Sequence, residues 1–541
     1  MPDTHVVTNQ VPPLENYNPA TSPVLNEALI REGGEWGLDE VTELGALSGT
    51  AQAQRWGELA DRNQPILRTH DRYGHRIDEV EYGPAYHELM KVAIGHGLHA
   101  APWADERPGS HVVRAAKTSV WTPEPGHICP ISMTYAVVPA LRNNPELSAV
   151  YEPLLTSREY DPELKVPATK AGITAGMSMT EKQGGSDVRA GTTQAAPNTD
   201  GSYVLTGHKW FTSAPMCDVF LVLAQAPDGL SCFLLPRFTP DGERNHGFRL
   251  QRLKDKLGNR SNASAELELD RAAAWLVGEE GRGIRTIIEM VNHTRLDCVV
   301  GSVGLMRQAV AQAGWHAAHR QAFGARLADK PLMQNVLADL EIEVEAATHM
   351  MLRLSGAFDR AAADPREAAF RRIATPVAKY WVTKRCSEVV REALECLGGN
   401  GYVEESIMPR LYRESPLNAI WEGSGNVIAL DALRAITGEP EAVEVFLEEL
   451  RPDVDPSLSS RIGGLRDELA AGPGQPEAGA RRLVEQLARV WAASLLVEGD
   501  HPPVADAYLA SRIAGDHGAL FGTLPSGLPL AAISARSIPT L

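Results

Sequence analysis

The chain has 541 residues, 43% hydrophobic and 22% charged, the balance of a globular protein with room for roughly three to four domains of about 150 residues each. Its net charge is −17, from 52 Lys and Arg against 69 Asp and Glu, a surface that repels nucleic acid and anionic lipid unless cations are gathered locally. The six cysteines (Cys129, Cys217, Cys232, Cys298, Cys386, Cys396) form no CxxC pair, which excludes the usual zinc patterns and disulfide frameworks and fits a reducing interior.

The opening MPDTHVVTNQ lacks the basic and apolar regions of a signal peptide, and the first Arg is Arg31. No apolar run reaches the roughly 18 residues that span a bilayer. The expectation is a soluble cytoplasmic protein with no membrane partner. Residues 1 to about 35, rich in Pro and Asn (VPPLENYNPATSP), read as an extended arm over the body. From about Glu35 to Tyr160 the spacing is helical, as in AYHELMKVAIG from Ala85 and ISMTYAVVPAL from Ile131. His96 and His99 follow the first of these with no acidic or cysteine partner nearby, and read as capping or core histidines.

Near Ile173 the character changes. Residues alternate as far as Leu269, and Asp200-Gly201 and Asp228-Gly229 punctuate apolar runs, a strong hairpin signal. From Gly283 the pattern is helical again: to about Phe323 as one helix or two, since GSVG could interrupt it, then Pro331 to about Asp364, and Arg366 to Leu397. A further helix follows Gly425 to Thr437. Long helices with short links predict an antiparallel bundle. The expected fold is mostly α with a central β domain, divided as 1–172 (arm and helices), 173–272 (β domain), 273–438 (helical bundle) and 439–541 (an extra helical domain). That last segment carries 15 Asp and Glu, 8 Arg and no Lys, a net of −7. It contains a Gly/Pro-rich link, AGPGQPEAGA, and its final stretch, GTLPSGLPLAAISARSIPTL, is expected to be poorly packed or docked on a partner.

The stretch with the densest chemical signal is Cys396 to Val427, CLGGNGYVEESIMPRLYRESPLNAIWEGSGNV. Glu422 stands beside Gly423 and Gly425, on backbone able to turn sharply and approach a flat cofactor; Gly398 and Gly399 are equally readable as a helix cap. In MTEKQGGSDV, Gly184, Gly185 and Ser186 offer N–H groups and a hydroxyl to a phosphate or flavin edge, or form an ordinary turn. HKWFTSAP sets Trp210 and Phe211 beside Thr212 and Ser213, a flavin face or a core pair. HRQAFG places Arg320 and Phe323 three apart, on one face of a predicted helix. GEEGRG at Gly278 reads as a turn, because Glu279 and Glu280 repel phosphate. His316 and His319 lack a third metal ligand.

Together and in this order, MTEKQGGSDV, GHKWFTS, HRQAFG, ECLGGNGY and IWEGSGN resemble the acyl-CoA dehydrogenase superfamily of flavoproteins, with its α–β–α order of domains. RLKDKLGNRSNAS, PRLYRE, the N-terminal arm and the C-terminal helical domain resemble the adaptive-response branch of that superfamily.

The resemblance implies FAD as cofactor and α,β-dehydrogenation of an acyl-CoA or related thioester. Glu422 would be the base that takes the α-proton, and the β-hydrogen would leave as hydride to the flavin. Met179, Thr180, Gly185 and Ser186 would line the flavin and its phosphates, with Phe211 and Ser213 where the family has Trp and Thr. Arg320, Phe323, Gly398 and Gly399 would bind the FAD of a neighbouring subunit, implying a homotetramer. Ser424 and Asn426 would touch the adenosine diphosphate, and Arg295 would lie under the active site. An electron-transfer flavoprotein or oxygen would accept the electrons. Pro331 and Glu395 stand where the family has cofactor-touching Gln, and Thr294, at the alternative base position, cannot act as a base. Two other readings remain open: a DNA-associated alkylation-response protein, which the acidic tail disfavours, and a specialised flavin oxidase or monooxygenase on the same fold.

Overall fold

A computed structural model describes residues 4–470 and 477–541; AGPGQP of the Gly/Pro-rich link, at 471–476, lies outside the described residues, as do the first three. The chain divides into two compact units, residues 52–107 with 123–297, and residues 1–51 with 108–122 and 298–541.

The first unit holds the sheet. It begins with a hairpin, β1 (Ile66–His70) and β2 (Arg76–Glu81), inside the region whose spacing reads as helical. Alternation in ILRTH and RIDEVE is the cause, with Asp71 Oδ1 accepting from the N–H groups of Tyr73 and His75 and Gly74 at φ +88° closing the turn. Then follow β3 (Ala175–Ser178), β4 (Gln194–Pro197), β5 (Tyr203–Ser213), β6 (Val219–Ala226), β7 (Gly229–Pro236), β8 (Phe248–Leu253) and β9 (Ser264–Val277). Both Asp-Gly turns lie at hairpins, pairing Pro197 with Tyr203 and Ala226 with Gly229.

The pairings run β6–β7–β9–β5–β4 and back to β6, a closed ring that leaves few free edges. β3 lies parallel to β6, and β8 is added on β9. Six successive residues of β6, Val219 to Ala224, are buried, so this strand reads as continuous rather than alternating. Lys170 and Asp218 form a buried ion pair at 2.8 Å, and Asp218 also accepts from Thr174 N–H. Buried Arg237 donates to the carbonyls of Asp78 and Pro215, tying the β1–β2 hairpin to the sheet.

The second unit is helical. Its arm is shorter than expected, because Pro23 presets the first turn of a helix at Pro23–Arg31. The helix Gly283–His319 runs unbroken for 37 residues, and from Cys298 on it belongs to this unit. GSVG does not interrupt it: a Cβ on Gly304 would lie 3.0 Å from Thr122 Cγ2 and 3.2 Å from Ser119 O, so that glycine permits close packing. The helices Pro331–Arg360 and Pro365–Cys396 pack on one another. Gly425–Gly438, Pro440–Glu448 and Ala480–Val497 pack on the second of them. Phe370, Phe446 and Trp491 join three of these helices, with ring centroids 5.5 to 5.8 Å apart.

The end of the chain is docked on its own bundle, contrary to the expectation of a loose or partner-bound tail. Leu530–Ala535 packs on Pro331–Arg360 with Ile533 fully buried, and Arg536 Nε meets Glu345 Oε1 at 2.5 Å. Further in, buried Arg512 donates to Glu343 at 2.9 Å and to Asp339, while Arg385 reaches Glu343 at 3.1 Å. Burial opposes the Glu343 charge, but Arg385 and Arg512 overrule it and hold the carboxyl at about 2, below its ordinary 4.5.

Glu343→Gln should therefore destabilise the fold by about 3–5 kcal/mol, since two guanidiniums lose their shared carboxylate. Hydrogen exchange should rise first in Leu509–Ile513, the segment that carries Arg512. Because the folded value is depressed, this stabilisation is complete above about pH 4.5 and is lost as pH falls toward 2. Melting temperature followed against pH should fall across that window in the parent and less steeply in the variant.

Candidate functional site

Met179, Thr180, Gly185, Ser186, Phe211, Ser213 and Arg295 belong to the sheet-bearing unit; Arg320, Phe323, Gly398, Gly399, Glu422, Ser424 and Asn426 belong to the helical one. In the first, the loop 179–188 leaves the end of β3 and is fastened from below. Glu181 is buried and accepts from Lys209 Nζ (2.8 Å), Thr192 N–H (2.6 Å) and Thr193 N–H (3.2 Å). Burial disfavours its charge, yet the Lys209 ammonium and the Thr193 and Thr192 donors outweigh burial and hold it at about 2. Thr180 O accepts from Trp210 N–H, Lys182 N–H donates to His208 Nε2, and Ser178 Oγ pairs with Thr212 Oγ1 at 2.6 Å. These bonds hold Met179 and Thr180 beside β5.

Gly185 and Ser186 are left exposed at the top of the loop. A Cβ on Gly185 would come within 2.4 Å of Thr180 Oγ1, so the close approach is reserved to glycine. On β5 the register against β9 slips between Lys209 and Thr212. That irregularity turns Phe211 outward, 50% exposed, while Thr212 stays buried. Ser213 is half-buried opposite Ser264, their hydroxyls 3.4 Å apart. Lys254 Nζ lies 3.4 Å from the centre of the Trp210 ring, a cation over an aromatic face. Arg295 is buried; the neighbouring Thr294 hydroxyl donates to Val291 O within the helix.

In the helical unit, IWEGSGN forms a corner that leads into Gly425–Gly438. Glu422 is half-buried at φ +57°, left-handed backbone that a non-glycine residue adopts only when its surroundings force it, and Gly423 follows at φ +106°. The force is Lys379, a fully buried ammonium whose Nζ donates to Trp421 O (2.8 Å) and to Gly423 O, the carbonyls on either side of Glu422. Trp421 Nε1 donates to Asn418 Oδ1 at 2.9 Å, and Asn418 Nδ2 to Ser302 Oγ at 3.2 Å, pinning the corner to the long helix.

Ser424 occupies the N-cap position of Gly425–Gly438 without making a side-chain cap bond. A Cβ on Gly425 would lie 2.7 Å from Lys384 Cε and 3.3 Å from Arg481 Nη2, and Arg481 Nε donates to Asn426 Oδ1 at 2.8 Å. Lys384 and Arg481 thus stand beside the first N–H groups of that helix, an arrangement that favours negative charge. Sequence reasoning missed Lys379, Lys384 and Arg481. The one available signal was Lys379, a charge inside the apolar run IATPVAKYWV.

Gly398 and Gly399 are exposed past the end of Pro365–Cys396, with nothing within 4 Å of a Cβ placed on either. Arg320 and Phe323 do not share a helix face. The helix ends at His319, and they lie on a hairpin, β10 (Gln321–Ala322) and β11 (Ala325–Arg326), with Phe323 at φ +51° and Gly324 at φ +77° making the turn. A cavity of about 80 Å³ lies elsewhere in this unit, lined by Asp339, Glu343, Trp381, Arg385, Arg512 and Phe521 among others, none of them an expected site residue. Its walls include the ion pairs that attach the tail.

Family models match three stretches: the adaptive response protein AidB N-terminal domain at residues 9–162, the acyl-CoA dehydrogenase middle domain at 176–272 and the acyl-CoA dehydrogenase C-terminal domain at 281–437. AidB of Escherichia coli (strain K12) is 44% identical over 515 residues, covering 93% of this chain and 94% of that protein. The crystal structure of Caenorhabditis elegans ACDH-11 in complex with C11-CoA superposes with a TM-score of 0.83 at 27% identity, covering 99% of this chain and 93% of that one. An acyl-CoA dehydrogenase from Bacillus anthracis complexed with FAD shares the fold, with a TM-score of 0.62 at 23% identity over 80% of this chain and 77% of that one. The chain belongs to the acyl-CoA dehydrogenase family, in its AidB-like branch, and is an FAD-dependent oxidoreductase.

Proposed function

We propose that this protein dehydrogenates an acyl thioester at its α,β bond, with Glu422 as the base that removes the α-proton. The observation that carries this reading is the Glu422 corner: a half-buried carboxylate on left-handed backbone, with both flanking carbonyls held by the buried Lys379 ammonium. A general base works best when its position is fixed before the substrate arrives, because misplacement by a fraction of an ångström erodes the proton transfer. The Glu422 N–H is set by the same corner and is the donor assigned to the thioester carbonyl, which acidifies the α-carbon.

When bound, FAD supplies the hydride acceptor for the β-hydrogen. The residues assigned to hold it are Met179, Thr180, Gly185, Ser186, Phe211 and Ser213, with Ser424 and Asn426 on the adenosine diphosphate. Arg481 and Lys384 add positive charge beside those last two, compensating for the cofactor-touching Gln positions that are Pro331 and Glu395 here. Phe323, Gly398 and Gly399 are exposed and Arg320 half-buried, which leaves them open to cross-subunit cofactor contacts in a homotetramer. The complex of ACDH-11 with C11-CoA supports an acyl-CoA as the thioester class. The electrons pass on to an electron-transfer flavoprotein or to oxygen.

The DNA-binding reading draws no support from the tail. Of its eight arginines, Arg451, Arg466, Arg489, Arg512 and Arg536 are paired with carboxylates, and a guanidinium already neutralised offers little to a phosphate backbone. Among the described residues no helix is long and apolar enough to cross a membrane.

Anaerobic titration of the yellow protein with acyl-CoAs of graded length should bleach the flavin band with one chain class; dithionite bleaching without any acyl-CoA response would refute the reading. Glu422→Gln should keep its FAD while reduction by the same acyl-CoA slows by about 10²–10⁴-fold, the usual share of a general base. Lys379→Met should keep the carboxylate yet release the two carbonyls that place it. Stopped-flow reduction should then slow by roughly 10²-fold, the loss expected from a small misplacement, with flavin content unchanged.

A further inference from the structure

We infer that Asn9, at the end of the N-terminal arm, is a positioning residue for the cofactor hairpin that carries Arg320 and Phe323; this rests on the reading of that hairpin as a contact to a second subunit's FAD. The hairpin has little to hold itself together. Its strands are two residues each, and an isolated two-stranded hairpin is marginal in water. Phe323 is 96% exposed and sits on left-handed backbone. Within the hairpin region itself, Leu327 N–H donates to Arg320 O and Lys330 Nζ to Phe323 O.

The arm supplies what the strands lack. The Asn9 side-chain amide pairs with both backbone groups of Gln321, its Oδ1 accepting the N–H at 2.9 Å and its Nδ2 donating to the carbonyl at 2.8 Å. A single side chain therefore takes the place of a neighbouring strand. The Asn9 carbonyl also accepts from Arg320 Nη1, which fixes that guanidinium. Asn9 is at φ +56°, a conformation that asparagine tolerates better than most residues.

Asn9 is delivered to this spot by the rest of the arm, which runs antiparallel to the last turns of Gly283–His319. Pro19 O accepts from Arg307, Tyr17 OH donates to Gln308, and Pro12 O accepts from Trp315 Nε1 at 2.8 Å. Leu14 and Tyr17 pack with Trp315 in a small buried cluster that Val11 and Ala311 flank. The spacing of these contacts leaves Asn9 opposite the first residues beyond the helix, where Arg320 and Gln321 emerge. The arm is thus a strap whose last fastening is made to the cofactor-binding segment.

The test compares Asn9→Ala, Asn9→Asp and Arg320→Glu in the full-length protein. Hydrogen exchange of the Gln321 amide reads the strap directly, and FAD affinity of the apoprotein, followed by flavin fluorescence, reads its purpose. Asn9→Ala should speed Gln321 exchange and weaken FAD binding by about three- to tenfold, the factor carried by one net hydrogen bond. Asn9→Asp, which keeps the acceptor and loses the donor, should fall between it and the parent. If Arg320→Glu weakens FAD and Asn9→Ala does not, the positioning role is wrong. If neither variant weakens FAD, the hairpin is no cofactor contact, and the inference falls with that reading.

Discussion

A lysine Nζ buried in the middle of a helix is expensive unless it finds acceptors, and this protein places one there. Lys379 sits among Val377, Ala378, Tyr380 and Trp381 on Pro365–Cys396, and its charge is met by the carbonyls of Trp421 and Gly423. The constraint works in both directions. The lysine stays buried because a sharp corner brings two carbonyls to one point. The corner keeps its left-handed Glu422 because leaving that conformation would strand the lysine. From this knot the start of Gly425–Gly438 is fixed, and with it the Asn426 that receives Arg481 from the tail.

The tail follows the same logic of internal neutralisation. Its arginines face carboxylates of the bundle, Arg512 toward Asp339 and Glu343 and Arg536 toward Glu345. Arg451, Arg466 and Arg489 meet carboxylates within the tail itself. Through these pairs and the Phe370–Phe446–Trp491 cluster, the tail packs on the helix that carries Lys379.

What the amino-acid sequence made legible was local. Asp-Gly turns marked two hairpins because glycine at positive φ is a residue-type signature, and Glu422 stood out because glycines flank it. The β1–β2 hairpin escaped notice because its turn is Asp-Arg-Tyr-Gly and its strands lie among helical spacing. Arg320 and Phe323 were placed on a helix because a separation of three suits one, and nothing in HRQAFG announces that the helix has ended at His319. Lys379 and Asn9 were illegible for a different reason. Their partners are backbone groups 42 and 312 residues away, and a carbonyl carries no mark of the side chain above it.

The division of the chain has a consequence for its birth. Residues 52–107 and 123–297 form one unit, whereas the other joins the first 51 residues to those after 297. A ribosome therefore releases Leu14, Tyr17, Val24, Leu25 and Leu29 long before synthesising Trp315 or the helix Pro331–Arg360 that the Pro23–Arg31 helix packs against. Those apolar residues lack part of their final cover through synthesis of the sheet-bearing unit, and transiently exposed apolar surface is what makes nascent chains prone to aggregate. Residues 14–29 are made well before the partners that bury them.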